Sequence, residues 1–348
     1  MQKIFYTLVI VVFIGLMMSC QNTTTNNGVT EDTEKQVAVK TIGSIEFIDE
    51  SFKNLVSKGA KIEVLAEGFE WTEGPLWIEE GGYLLFSDIP PNSIFRWDDI
   101  NGIKLYLKPS GYTGKEERGG ELGSNGLLLN SNDELVLCQH GDRRIAKMDA
   151  PLSNPVSKFV TLADTYDEKR FNSPNDAIFH SSGDLYFTDP PYGLVDNVND
   201  STKEIPFQGV YKLDNSGKVY LLIDSLTRPN GIVFSPDEQK LYVANSDPER
   251  AWWSMYNIDD LGNIVAGHIM YDATDLVGQE KGLPDGMAID SNGNIWATGP
   301  GGIFVFNSQG QLIGKLKTGE ATANCTFDTQ EKYLYITADM YLLRLPLK

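Results

Sequence analysis

Histidine and cysteine are nearly absent, with three of each in 348 residues. His140, His180 and His268 are not spaced as zinc ligands. Cys138 and Cys325 lie inside apolar, strand-like stretches and read as buried thiols, with a disulfide between them left open in an exported protein. Basic residues are also short: 29 Lys and Arg against 48 Asp and Glu leave a net charge of −19. That balance argues against nucleic acid or an anionic membrane surface as a partner. No G-x-S-x-G elbow, Walker loop or complete G-x-G-x-x-G occurs, so serine-hydrolase and nucleotide chemistry have no anchor. Asp290-Ser-Asn-Gly-Asn places its glycine too early for an EF-hand and reads as a hairpin turn.

Long apolar runs are missing too, except one at the start. Met-Gln-Lys precedes an apolar stretch from Ile4 to Met18, a secretory signal too short for a membrane-spanning helix. Leu16-Met17-Met18-Ser19-Cys20 resembles a relaxed bacterial lipobox, with methionines where an aliphatic and then a small residue are usual. The expectation is a signal over 1–20, lipid on Cys20, and a protein exported to the periplasmic or outer face of a membrane. Residues 21–45 are polar, Thr- and Asn-rich in their first part, and read as a disordered tether. The folded domain is expected over 46–348, with a short amphipathic turn or helix within 43–60.

What is abundant points to β structure: 33 glycines, 15 tyrosines and 16 phenylalanines. One phrase recurs six times, opening as EGPLWI, SNGLLL, SPNDAIF, RPNGIVF, LPDGMAI and TANCTF. Each opening is followed by a polar hairpin turn and an aromatic-rich strand such as YLLFSDI or DLYFTDP. A period of about 40 to 55 residues with four short strands per unit predicts a six-bladed β-propeller, all-β. Only two strands fit after the last opening, so KIEVLAE at 61–67 is expected to complete the sixth blade as its outer strand.

In a propeller the first strand of every blade lines the central channel. Glu73, Asn125, Asn175, Asn230, Asp285 and Asn324 stand at the six openings and are expected to converge there. A single such residue reads as a turn cap. Six in register make a ring of oxygen donors, costly to bury without a partner. A divalent cation resolves that cost; calcium fits best, and Zn, Mn and Mg are also compatible with oxygen ligands.

These motifs resemble a known family. EGPLW at 73–77, NSPND at 172–176, FTDPPYG at 187–193, RPNG at 228–231 and LPDGMAID at 283–290 are similar to those of gluconolactonases, senescence marker protein (regucalcin) and luciferin-regenerating enzyme. CQHGDRR at 138–144 and ANCTF at 323–327 resemble the bacterial gluconolactonase branch. The resemblance implies a propeller with one metal at the channel mouth, held by Glu73, Asn230 and Asp285, with Asn175 as a fourth ligand or a substrate contact. It also implies Asp285 as general base in opening a small lactone by water, with Asp176 as the alternative base. Asp176, Asn125, His140 and Tyr192 are the further candidates for substrate contact; Trp252 and Trp253 are candidate walls, and Arg118 and Glu121 candidate rim groups. Ser173 stands where animal members carry a sugar-binding arginine. The function so implied is a metal-dependent sugar lactonase. The alternatives are a broader esterase or phosphotriesterase of the same fold and a non-catalytic propeller that binds calcium or a glycan.

Overall fold

The computed structural model describes residues 39–348, which form one unit. The signal segment, Cys20 and the tether up to residue 38 lie outside the described residues. Short apolar strands alternate with polar turns that hold their own backbone. In the turn after Leu129, for example, Asn130 Oδ1 accepts from the Asn132 and Glu134 amides, both at 3.0 Å. Turns of this kind stop each strand after a few residues and fold it back on itself.

Among the described residues six antiparallel sheets form the blades, and a two-stranded hairpin, Thr165–Tyr166 with Lys169–Arg170, stands apart from them. Blade 1 runs Thr72–Ile78, Tyr83–Asp88, Ser93–Asp98, Gly102–Leu107, and blade 2 runs Ser124–Leu129, Leu135–Gln139, Arg144–Met148, Phe159–Ala163. Blade 3 comprises Ala177–Phe179, Leu185–Asp189, Gly209–Leu213 and Val219–Ile223; blade 4 comprises Pro229–Phe234, Lys240–Asp247, Arg250–Ile258 and Ile264–Asp272. Blade 5 is built from Met287–Ile289, Ile295–Gly299, Gly302–Phe306 and Leu312–Lys317. Blade 6 takes Thr322–Phe327, Tyr333–Ala338 and Tyr341–Pro346 from the end of the chain and Ile62–Glu67 from near its start. The inner strands touch one another in chain order, and the sixth touches the first. The ring is therefore closed by the strand expected to close it.

Because side chains alternate along a strand, each blade offers one face to the preceding blade and one to the next. Leu84 and Phe86 pack with Tyr335 and Leu342 of blade 6, whereas Tyr83 and Leu85 pack with Leu127 and Leu137 of blade 2. A separate apolar cluster fills every one of the six interfaces. The result is a wheel of wedges around a narrow polar axis.

The tether expected to reach residue 45 ends earlier. Thr41–Ile42 pairs with Ile62–Glu67, and Ser44–Phe47 pairs with Leu312–Lys317, giving blades 6 and 5 a fifth strand each. Ile42 and Ile45 reach the apolar cluster between those blades, which supplies the burial that their polar neighbours lack. A 3-10 turn, Glu50–Asn54, follows; Asp49 caps it, accepting from Ser51 N at 2.8 Å. Its Phe52 is wholly buried against Phe47 and Trp296.

Candidate active site

At one mouth of the axis the inner strands open a cavity of about 410 Å³. Glu73, Asn125, Asn175, Asn230 and Asp285 line it together with Tyr192, so five blades each contribute one oxygen-bearing side chain to a single space. The ladder breaks in the same region of blades 1, 2 and 4. An extra residue falls at or just after Glu73, Asn125 and Asn230, and the resulting bulge turns the side chain toward the axis. A glycine follows, and it has to. A Cβ at Gly74 would lie 2.0 Å from Asn125 O, and one at Gly231 would lie 2.2 Å from Asp285 O. Only a bare backbone lets neighbouring inner strands come this close.

The donors in the ring are held from behind. Asn230 Nδ2 donates to Ser246 Oγ at 3.2 Å, and that hydroxyl in turn donates to Pro284 O, which leaves the Asn230 oxygen for the cavity. Glu73 Oε2 accepts from Gly74 N at 2.9 Å. In contrast, Asn125 Oδ1, Asn175 Oδ1 and Asp285 Oδ1 are buried with no hydrogen-bond partner. Three orphaned oxygens in one ring are an expensive arrangement. Burial, opposed only in part by the Gly74 amide and reinforced by Asp176, pushes the Glu73 carboxyl up to about 8. Burial, followed by repulsion from Glu73, Asp176 and Glu121, holds Asp285 well above the usual carboxylate range.

A hard divalent cation would answer both problems. Two carboxylates and amide oxygens are the ligand chemistry of calcium, and a positive charge among them would return both carboxyls to the ionised form. Among the described residues no cluster of three or more His, Cys, Asp and Glu side chains has metal-site geometry.

Two residues expected to contact substrate do not line the cavity. Asp176 follows Asn175 in an extended chain and points to the opposite side. It lines the other end of the channel, where its Oδ1 accepts from Ala177 N at 2.9 Å. His140 sits in the turn between the second and third strands of blade 2, wholly buried, with Nδ1 2.9 Å from Glu121 Oε2. It is Glu121 that reaches the cavity.

Several neighbouring expectations shift as well. Asn324 joins Asp176 at the far end of the channel, because in blade 6 the extra residue precedes it instead of following. Thr322 stands at the cavity in its place. Trp252 and Trp253 belong to a strand of blade 4, not a loop, and Trp253 is core between blades 4 and 5. Arg118 is spent on the carbonyls of Gly141 and Gly193. Ser173 is fully buried, donating to Pro190 O at 2.5 Å and accepting from Gly193 N at 2.9 Å. Cys138 and Cys325 are buried and free. Trp71 and Ser246 line the cavity without a sequence signal of their own, since they lie off the repeating opening phrase, and Leu283, the first residue of LPDGMAI, joins them.

Comparison with known proteins agrees with this architecture. The SMP-30/Gluconolactonase/LRE-like region model matches residues 71–339. A gluconolactonase of Zymomonas mobilis is 36% identical over 332 residues, covering 94% of this chain and 92% of the relative. Regucalcin of Bos taurus is 25% identical over 299 residues, covering 80% and 87%. The solved gluconolactonase of Xanthomonas campestris superposes with a TM-score of 0.75 at 29% identity, covering 89% of this chain and 98% of that one. The chain therefore belongs to the SMP-30/gluconolactonase/LRE-like family of six-bladed propellers.

Proposed function

We propose that this protein is a hydrolase of ester bonds that opens a sugar lactone, gluconolactone or a close relative, with a divalent cation held by Glu73, Asn175, Asn230 and Asp285. The observation that carries the reading is the ring of orphaned oxygens lining one cavity at the mouth of the axis. The 36% identity to a gluconolactonase along nearly the whole chain supports the reaction class. Calcium, the ion that best suits this mixture of oxygen donors, would act as a Lewis acid toward the ester carbonyl and acidify bound water.

The chain supplies the rest. Glu73, Asn175 and Asn230 fix the site and leave Asp285 with an unpartnered oxygen facing the cavity. Asp285 takes a proton from water as its oxygen adds to the acyl carbon. The acyl carbon–ring oxygen bond then breaks, the ring oxygen leaves as a hydroxyl by taking back the proton held on Asp285, and the carboxylic acid formed releases its own proton to solvent. Trp71, Leu283 and Tyr192 wall the space around the reacting group.

The test is a pH-stat assay of glucono-δ-lactone, with calcium and with a chelator, on the wild type and on Asp285→Asn. Calcium-dependent acid release, lost in the variant while its fold is kept, supports the proposal. A folded, calcium-loaded protein that releases no acid from gluconolactone or xylonolactone overturns it; activity on a phosphotriester instead would select the broader esterase reading.

The N-terminal run and Cys20 support a lipid-anchored, exported location for this activity. A Cys20→Ala protein should leave the membrane fraction when cells are fractionated, and retention there would refute the anchor.

A further inference from the structure

Two carboxylates, Glu121 and Glu280, line the cavity without a part in the scheme above. Glu121 lies at the end of the connection from Gly102–Leu107 of blade 1 to Ser124–Leu129 of blade 2. That connection is clamped along its length. Asn92 Oδ1 accepts from the amides of Ser110, Gly111 and Tyr112 at 3.0, 2.7 and 3.2 Å. Thr113 donates through N and Oγ1 to Asp142 of blade 2, at 3.1 and 2.6 Å. Arg118 bridges Gly141 O and Gly193 O, which ties the loop to blades 2 and 3. Gly123 N donates to Ile89 O at 2.9 Å. The side chain at residue 121 is thus delivered to the cavity by a strap fixed on three blades.

Behind it stands His140. Its ring is completely buried, Nδ1 lies 2.9 Å from Glu121 Oε2 without hydrogen-bond geometry, and neither ring nitrogen has a hydrogen-bond partner. A buried imidazole in contact with one carboxylate oxygen is placed to orient that carboxylate. Glu121 itself lines the cavity. The cavity lining includes the apolar Trp71, Val277, Leu283 and Pro248 and a second carboxylate, Glu280. An acceptor held at such a wall weighs in choosing among ligands, because an unmatched polar group is costly in the wrong complex.

We propose that Glu121 is a specificity-determining residue that accepts hydrogen bonds from the hydroxyl groups of a polyhydroxylated lactone, and that His140 is the positioning residue that aims it. This rests on the lactonase reading above. Sugar lactones carry hydroxyl donors around the ring, and simple lactones of equal ring size carry none. Glu121 therefore separates the two classes, while the ring of Glu73, Asn175, Asn230 and Asp285 serves both.

The experiment compares glucono-δ-lactone with δ-valerolactone on the full-length, calcium-loaded protein. In Glu121→Gln, kcat/KM for gluconolactone should fall about 10- to 100-fold, mostly through KM, as expected for a lost charge-assisted hydrogen bond to substrate. For δ-valerolactone it should change little. His140→Phe should show the same split between substrates in weaker form, and His140→Gln, which restores a donor, should recover part of it. Calcium affinity measured by calorimetry should fall only a few-fold in Glu121→Gln, because the lost charge acts on Asp285 through space. Equal losses on both lactones would overturn the proposal by making Glu121 part of the chemistry, and a loss of calcium affinity of about 100-fold or more would do so by making it a metal ligand. A wild-type protein that opens neither lactone would instead defeat the lactonase reading on which this one stands.

Discussion

Gly231 shows how little room the ring leaves. Its amide and carbonyl sit beside the backbone of Asp285, close enough that an added Cβ would meet Asp285 O at 2.2 Å, inside any real contact distance. The neighbouring side chain, Asn230, is fixed by Ser246, which is itself bonded to Pro284 O one residue before Asp285. Gly231→Ala must therefore part the inner strands of blades 4 and 5 and shift two ring oxygens relative to the others. Calcium affinity, read by calorimetry, should fall about 10- to 100-fold, the usual cost of disturbing what supports a metal ligand. An unchanged affinity would mean that these two residues do not share a ligand.

The same crowding explains which site residues could be read from the chain. Glu73, Asn125, Asn175, Asn230 and Asp285 announce themselves because a bulge or a turn recurs at each opening, and the phrase around it recurs with it. Asp176 and Asn324 carry the same side-chain types in the same phrase and yet face the other end of the channel. Strand alternation decides the first, and the placement of one extra residue the second. Neither is visible without the ladder. Ser246, Trp71 and Glu121 come from strand ends and connections that do not repeat, so no period points to them.

At the scale of elements, the repeat stops short of what the fold uses. Residues 39–67 lie before the region matched by the family model, yet they supply the strand that closes blade 6 and two more that cover the edges of blades 5 and 6. Strand propensity made Ile62–Glu67 readable. The pair Thr41–Ile42 and Ser44–Phe47 was not, since four or fewer residues of mixed polarity gain their order only from the edges they cover. Phe52 is the pin for this segment. It fills a space left by Gly314, where a Cβ would come within 2.2 Å of the ring, and it touches Trp296 of blade 5. Phe52→Ala should lower stability by about 3 to 5 kcal/mol in urea unfolding. A loss below about 1 kcal/mol would show the segment to be dispensable padding.

For the whole molecule, the buried carboxyls tie stability to pH and metal together. Without a cation, burial holds Glu73 up to about 8, Asp285 well above its ordinary value and Asp176, beneath the ring, up to about 7. On unfolding all three return to the usual carboxylate range. Between about pH 4.5 and 8 the unfolded chain therefore binds fewer protons than the folded one. A deficit of that sign makes stability fall as pH rises through the window, so chelated protein should be most resistant near its lower end. Calcium reverses the argument for Glu73 and Asp285, because the bound ion favours their ionised forms and must displace their protons. Saturation at about a hundred times Kd adds about 2.7 kcal/mol. Thermal melts across this window, with chelator and with calcium, should diverge more widely as pH rises. Two parallel curves would mean that the ion binds without displacing those protons, and so at a site other than this ring.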